Sequence, residues 1–349
     1  MMYHARMRLF IGGRSAVEYW LLRTLSAPSD SRSVEPVRRR ALDCGLSLAR
    51  IKVLNDSAPK DAQVAEFMRG PLCGLSRPVG VMVAQKAAKS DTALKRCLLW
   101  SRDVPAGSFV RVDPGLYVAT PEFAYLQMSR GLPFAGKLAM AYEFCANYAR
   151  SIRDVRGFVG CPPLSSRALL VAFLQQASAS SRSNEALVQV LGSVADGSAS
   201  PSETLVAAQL FASRARGGFG VPMGDLNGEV EIPAEKGSRR GVRTYRCDVL
   251  WRDRGLALEY DSDAFHTGAD RIAHDSARRN ALLDLGYSVV TVTSKQLYDA
   301  GSFAGIGAEV LKLLGCRVDD QRHGYDWQAR YGELRSQLLG ARWQWETGI

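Results

Sequence analysis

Hydrophobic and polar positions alternate with different periods along this chain, and each period predicts an element. The pattern predicts a helix around Ala16–Leu25, followed by a polar Ser/Pro-rich loop over Ser26–Glu35. Residues 36–56 predict a short helix. The apolar run Val79–Ala84 predicts a buried strand. Residues 95–100 and 108–119 predict further strands, with Asp113-Pro114-Gly115 as turn chemistry. Two helices follow, Glu122–Arg130 and Phe134–Arg150, split by Gly131-Leu132-Pro133. Residues 164–180 and 184–195 predict a helical pair.

The segment Asp196–Pro201 marks a boundary rich in small and turn-forming residues. Beyond it, Ser202 is expected to cap a helix reaching about Arg216. A strand is expected over Glu229–Pro233, then two more over Thr244–Trp251 and Leu256–Tyr260. A helix over Ala269–Leu285 stops at Gly286. The β-branched run Ser288–Thr293 reads as a buried strand, and a helix over Lys295–Leu314 ends at Gly315. The resulting order is helix, three strands, helix, strand, helix. Residues 317–349 form a polar tail containing Trp327, Trp343 and Trp345, read as a helix docked on the core. Three segments are therefore expected: a mainly helical α+β domain over 1–196, an α/β domain over 201–316 and the tail.

Composition changes this picture in one respect. With 46% hydrophobic and 23% charged residues in 349, the chain has ordinary globular usage, so extensive disorder is not expected. The charge, however, is unevenly placed: residues 1–200 carry a net +11 and residues 201–349 a net −1. A basic module beside a near-neutral one suits a nucleic-acid binder. Arginine outnumbers lysine 36 to 9, which favours bidentate phosphate contacts but also follows from GC-rich coding. Arg38, Arg39 and Arg40 are candidate phosphate contacts, although a solvated charge run is the commoner meaning. The seven cysteines are odd in number and contain no C-x-x-C pair, which argues against a disulfide scaffold or a structural zinc site. No signal peptide is visible, and no run of about 18 apolar residues predicts a spanning helix. A cytoplasmic protein without membrane association is the expectation; DNA as partner, rather than a small-molecule substrate, is what the family resemblance described below implies.

The informative chemistry lies in Tyr245–His266. If Arg252–Gly255 is a four-residue hairpin loop, Trp251 pairs with Leu256, and counting outward puts Asp248 opposite Glu259. Opposed residues share a face, with Cβ atoms about 4.5–5.5 Å apart. Asp261 reaches the same face if the strand continues. A loop one residue longer or shorter would separate the two acids. Clustered carboxylates repel unless a cation fills the space between them, and all-oxygen ligation suits Mg²⁺ or Mn²⁺. Asp248 interrupts the apolar positions of its strand, which sets it apart from ordinary solvated acids such as Asp253, Asp263 and Asp270.

These residues resemble the PD-(D/E)XK restriction-endonuclease-like superfamily, and within it the very-short-patch-repair (Vsr-like) branch. The resemblance covers residues 200–315. It rests on the element order, on Asp248, on Glu259-Tyr260-Asp261, on His266, and on Asp275-Ser-Ala-Arg-Arg-Asn280 ahead of Gly286-Tyr-Ser-Val-Val. It implies an αβββαβα core with a mixed sheet, and metal-dependent hydrolysis of DNA phosphodiesters. Asp248, Glu259 and Asp261 would hold Mg²⁺ (or Mn²⁺), with Glu203 on the first helix as a supporting acid. The superfamily's usual lysine two residues after the acid is Asp261 here. The Vsr-like branch also lacks that lysine and uses histidine chemistry, which makes His266 the candidate for proton transfer. A lone histidine is more often structural, although His266 and His274 are two of only four in the chain. Asp275 and Arg279, spaced i, i+4, are either a helix ion pair or site-facing groups, with Arg279 near phosphate. Arg278 is solvated or touches phosphate.

In the first half, Gly107–Glu122 loosely resembles the segment after the winged-helix part of AbiEi-type abortive-infection antitoxins, which are transcriptional regulators paired with a toxin. That resemblance implies a rival function: a DNA-binding regulator whose nuclease fold is catalytically silent.

Overall fold

The computed structural model describes residues 8–26, 59–102, 104–177, 182–232, 243–261, 279–316 and 326–340. The chain is mixed α/β and divides into two compact units, with the division between Gly192 and Ser193.

The first unit is built on a five-stranded sheet. Its strands are β1 (Leu9–Ile11), β2 (Val79–Val83), β3 (Lys95–Leu99), β4 (Phe109–Asp113) and β5 (Leu116–Ala119), in the spatial order β3-β2-β1-β5-β4. Every residue of β1, β2 and β5 is buried, which is why these strands read as continuous apolar runs. Helices α1 (Gly13–Ser26), α2 (Asp61–Met68), α3 (Pro121–Met128) and α4 (Phe134–Cys145) precede a short hairpin, β6 (Tyr148–Arg150) with β7 (Phe158–Gly160). Helices α5 (Arg167–Ala177) and α6 (Arg182–Leu191) complete the unit. Helix α3 packs on α1, α4 and α5. Thr120 caps it, and Pro121 sits in its first turn, where a missing N–H costs nothing. The core is aromatic: Phe10 stacks on Tyr117 at 4.9 Å, and Phe123 meets Trp100 edge-on at 4.8 Å. Two buried carboxylates are satisfied internally. Glu18 accepts the Ser76 N–H and hydroxyl, and Glu122 accepts the Ser165 hydroxyl at 2.6 Å.

The sequence pattern differs from this unit in three places. Strand β1 and helix α2 lie outside the predicted elements. The helix expected over Phe134–Arg150 ends at Cys145, because Tyr148–Arg150 turns back as a strand to pair with Phe158–Gly160. An apolar run of this length fits either period, and pairing decides it. The helix expected over residues 36–56 lies outside the described residues.

The second unit holds a four-stranded sheet in the order β11-β10-β9-β8. Helix α7 (Pro201–Phe211) leads into β8 (Asp225–Ile232), β9 (Arg243–Trp251), β10 (Leu256–Asp261) and β11 (Ser288–Thr293). β8, β9 and β10 are antiparallel neighbours, whereas β11 joins β10 in parallel. A parallel step needs a crossover, and residues 279–284 are helical ahead of β11. The sheet carries a buried cluster of Val230, Cys247, Leu250, Ala257 and Leu282. Trp251 meets Phe211 of α7 edge-on. After β11 come α8 (Ser294–Tyr298), α9 (Ala300–Leu313) and α10 (Trp327–Gly340).

Three helix boundaries differ from the sequence reading. The cap of α7 is Ser200, whose hydroxyl accepts the Glu203 N–H, and not Ser202; Pro201 in the first turn fixes that start. This helix also ends at Phe211, with only a short 3-10 turn over Arg214–Arg216 beyond it. The single helix expected over Lys295–Leu314 is two, because extended Asp299 breaks it and caps the second by accepting the Ser302 N–H. In the tail, α10 docks on α7: Arg335 is buried and donates to Gln209 Oε1 at 2.8 Å and to Leu297 O at 2.6 Å. Trp343 and Trp345 lie outside the described residues. Cys73, Cys97, Cys145, Cys161, Cys247 and Cys316 are free thiols. Among the described residues no helix is long and apolar enough to cross a membrane.

Candidate functional site

The site begins with the β9–β10 hairpin. Arg252–Arg254 form a 3-10 turn, and Gly255 closes it at φ 56°, a left-handed conformation that glycine adopts without strain. Trp251 pairs with Leu256, Leu250 with Ala257 and Val249 with Leu258. One further step in this register sets Asp248 opposite Glu259. The ladder changes character at that step, because a carboxylate oxygen of Asp248 accepts the Tyr260 N–H at 2.6 Å.

The same row continues outward in both directions. Toward β11, Glu259 is in register with Thr291. Toward β8, Leu226 pairs with Val249 and Gly228 with Cys247, and the ladder is interrupted between them at Asn227 and Asp248. Asn227 has φ 53°, the left-handed region that Asn tolerates better than most residues. Its side-chain amide donates to Gly197 O at 2.9 Å and to Glu203 Oε2 at 2.8 Å. The same Glu203 oxygen accepts the Ala199 N–H at 2.7 Å. Glu203 therefore ties the start of α7 to the irregular point of β8. Counting through the interrupted ladders aligns Asn227, Asp248 and Glu259 as a row that the paired Thr291 continues, with Glu203 attached to Asn227.

Asp248, Glu259 and Glu203 are all half-buried, while Asp261 is exposed at the end of β10, in register with Thr293. Among the described residues, no group of three or more His, Cys, Asp or Glu side chains is gathered tightly enough to hold a metal ion. Arg279 is exposed at the start of the helical stretch 279–284. His266, Asp275 and Arg278, together with Arg38, Arg39 and Arg40, lie outside the described residues. Asn227 is the member of the row that the sequence reading missed. Its signal was the Asn227-Gly228 pair, a turn-forming dipeptide ahead of the strand expected over Glu229–Pro233, which in fact begins at Asp225.

The donor set is carboxylate oxygen, a chemistry that fits a hard divalent cation. One oxygen of Asp248 already serves the backbone, which orients that carboxylate toward the β10 side of the row. No family model, curated protein or solved structure matches this chain.

Proposed function

We propose that the second unit is a metal-dependent, endonuclease-like hydrolase of DNA phosphodiesters, with an αβββαβα core of the restriction-endonuclease-like, Vsr-like type. The observation that supports this reading is the β9–β10 register through Val249 and Leu258, from which a count of one further residue brings Asp248 to Glu259. Two carboxylates brought to one place would disfavour each other's charge, and a bound cation would relieve that conflict. Asp248 and Glu259 would hold Mg²⁺ or Mn²⁺, with Asp261 entering only if its strand end moves inward. Such an ion polarises a phosphoryl oxygen and lowers the pKa of a bound water.

The chain's own residues have separate duties in this reading. The Tyr260 N–H fixes the rotation of the Asp248 carboxylate. Glu203 and Asn227 hold the β8 side of the row, so Glu203 supports the site by positioning rather than by touching substrate. His266 is the group assigned to proton transfer, and Arg279 and Arg278 to phosphate. An acidic site does not attract DNA, so affinity comes from the basic first half, including Arg38, Arg39 and Arg40, through release of counterions. Free thiols suit a cytoplasmic setting.

A second reading is favoured by one residue. Asp261 occupies the position of the superfamily's lysine, and a fold without that lysine could serve a DNA-binding, AbiEi-like regulator that does not cut. Supercoiled plasmid separates the two. Under the first reading, purified protein nicks it with Mg²⁺ or Mn²⁺, and Glu259→Ala abolishes nicking while DNA binding survives. Retarded DNA that is never nicked with any metal would establish the regulator instead.

A further inference from the structure

The first unit contains a cleft of about 220 Å³ into which three cations converge: Arg102, Arg130 and Lys137. They come from separate places in the chain. Arg102 follows β3, Arg130 follows α3, and Lys137 lies in α4. Ser183, in the first turn of α6, lines the rim, and none of the described lining residues is acidic. Arg130 is held in place: its guanidinium carbon lies 4.0 Å from the centre of the Trp100 ring, and Trp100 is itself buried. Burial first, and the nearby Arg102 charge second, push the Arg130 pKa below its ordinary value. Like charges directed into one small cleft repel, and an anion between them lowers the energy. The first turn of α6 adds the positive end of a helix dipole at the rim.

We propose that this cleft is a receptor for a single phosphoryl group, gripped by Arg102, Arg130 and Lys137. A guanidinium fork matches phosphate oxygens two at a time, and the stacked Arg130 presents its fork already oriented. The volume is below the roughly 300–1,000 Å³ of sites for drug-sized ligands, so the cleft takes the phosphoryl group and little of what it is attached to. That group can belong to a nucleic-acid backbone or be free inorganic phosphate. The inference stands on the first unit alone and does not depend on cleavage by the second.

The test uses the full chain, with inorganic phosphate measured by titration calorimetry and a 20-base-pair duplex measured by fluorescence anisotropy across a salt series. Wild type is compared with the double variant Arg102→Gln/Arg130→Gln and, separately, with Lys137→Gln, all checked by thermal melting. A backbone phosphate predicts that duplex affinity falls at least tenfold in the double variant and that its salt slope drops by about one, the share of one phosphate contact. Free phosphate as the ligand predicts a tenfold or greater loss for inorganic phosphate with duplex binding unchanged. If the double variant fails to fold, a threefold or greater loss in Lys137→Gln carries the proposal. Unchanged binding of both probes in the folded variants, or no binding of either by wild type, overturns it. Glu259→Ala is expected to bind both probes as wild type does, so a failed nicking assay leaves this result standing.

Discussion

A carboxylate oxygen of Asp248 on β9 accepts the backbone N–H of Tyr260 on β10 at 2.6 Å. The side chain does what a backbone carbonyl does elsewhere in the ladder, just beyond the last regular pair, Val249 with Leu258. Asp248 thus has a structural duty beside its proposed catalytic one, and the two separate by substitution. Asp248→Ala leaves a half-buried N–H without its acceptor and should cost about 1–3 kcal/mol in urea unfolding. Asp248→Asn keeps an oxygen at the same place and should cost under about 1 kcal/mol. Both should abolish metal-dependent nicking. A well-folded Asp248→Asn that nicks like wild type would remove Asp248 from the metal site.

Glu203 connects Ala199, Asn227 and the start of α7 through one carboxylate oxygen. Glu203→Ala should lower stability by about 1–2 kcal/mol, a loss measurable in the same unfolding experiment. Asn227→Gly should be milder than Asn227→Ala, because only the alanine is strained at φ 53°. Equal losses for the two Asn227 variants would mean that backbone strain is irrelevant there.

Arg335 anchors α10. Its guanidinium is buried and serves Gln209 and Leu297, so its removal strands two acceptors. Arg335→Ala should cost about 2–4 kcal/mol. Lysine lacks the planar fork, so Arg335→Lys should recover less than half of that loss. Full recovery by lysine would show that charge, rather than bidentate geometry, holds the helix.

Gly307 on α9 faces the ring of Phe219, and a Cβ at this position would collide with ring atoms. Phe219 also packs against Phe303, Trp327 and Tyr331, so it has little room to retreat. Gly307→Ala should therefore destabilise by about 1–3 kcal/mol despite alanine's better helix propensity. A rise in Tm would show that the ring can move aside.

Asp61 and Lys95 supply a pH signature in the first unit. Lys95 is buried, and its Nζ lies 2.5 Å from Asp61 Oδ1. The hydrogen bond from Lys95 is the main cause holding the Asp61 carboxyl below its ordinary value. The folded pKa is lowered, so the contribution is present above the unfolded value, near pH 4, and is lost as pH falls through the folded one. Melting temperature should therefore drop more steeply below about pH 4 in wild type than in Asp61→Asn. Parallel acid limbs would exclude the pair as the source.

Much of the second unit was legible in the sequence because its signals are local. Ser288–Thr293 carries β-branched residues that fit a buried strand, and β11 has those limits. The turn residues Arg252–Gly255 set the hairpin register from Trp251–Leu256 through Val249–Leu258. The cap of α7 was misplaced by two residues because Ser200 and Ser202 are chemically alike, and Pro201 between them decides which one caps. The β6–β7 hairpin was hidden because three-residue strands are too short to establish a period.

The strand order of the second unit, the register of its β9–β10 hairpin and the charge contrast between the halves were legible in the sequence alone. Each depends on neighbours within a few residues, or on a simple count. Packing decided the rest. Only the folded sheet shows that Asp248 gives an oxygen to Tyr260, that Asn227 and Glu203 close the end of the same row, and that Arg102, Arg130 and Lys137 meet in one cleft. Those contacts join segments far apart in the chain, and no local period encodes which distant side chains will meet.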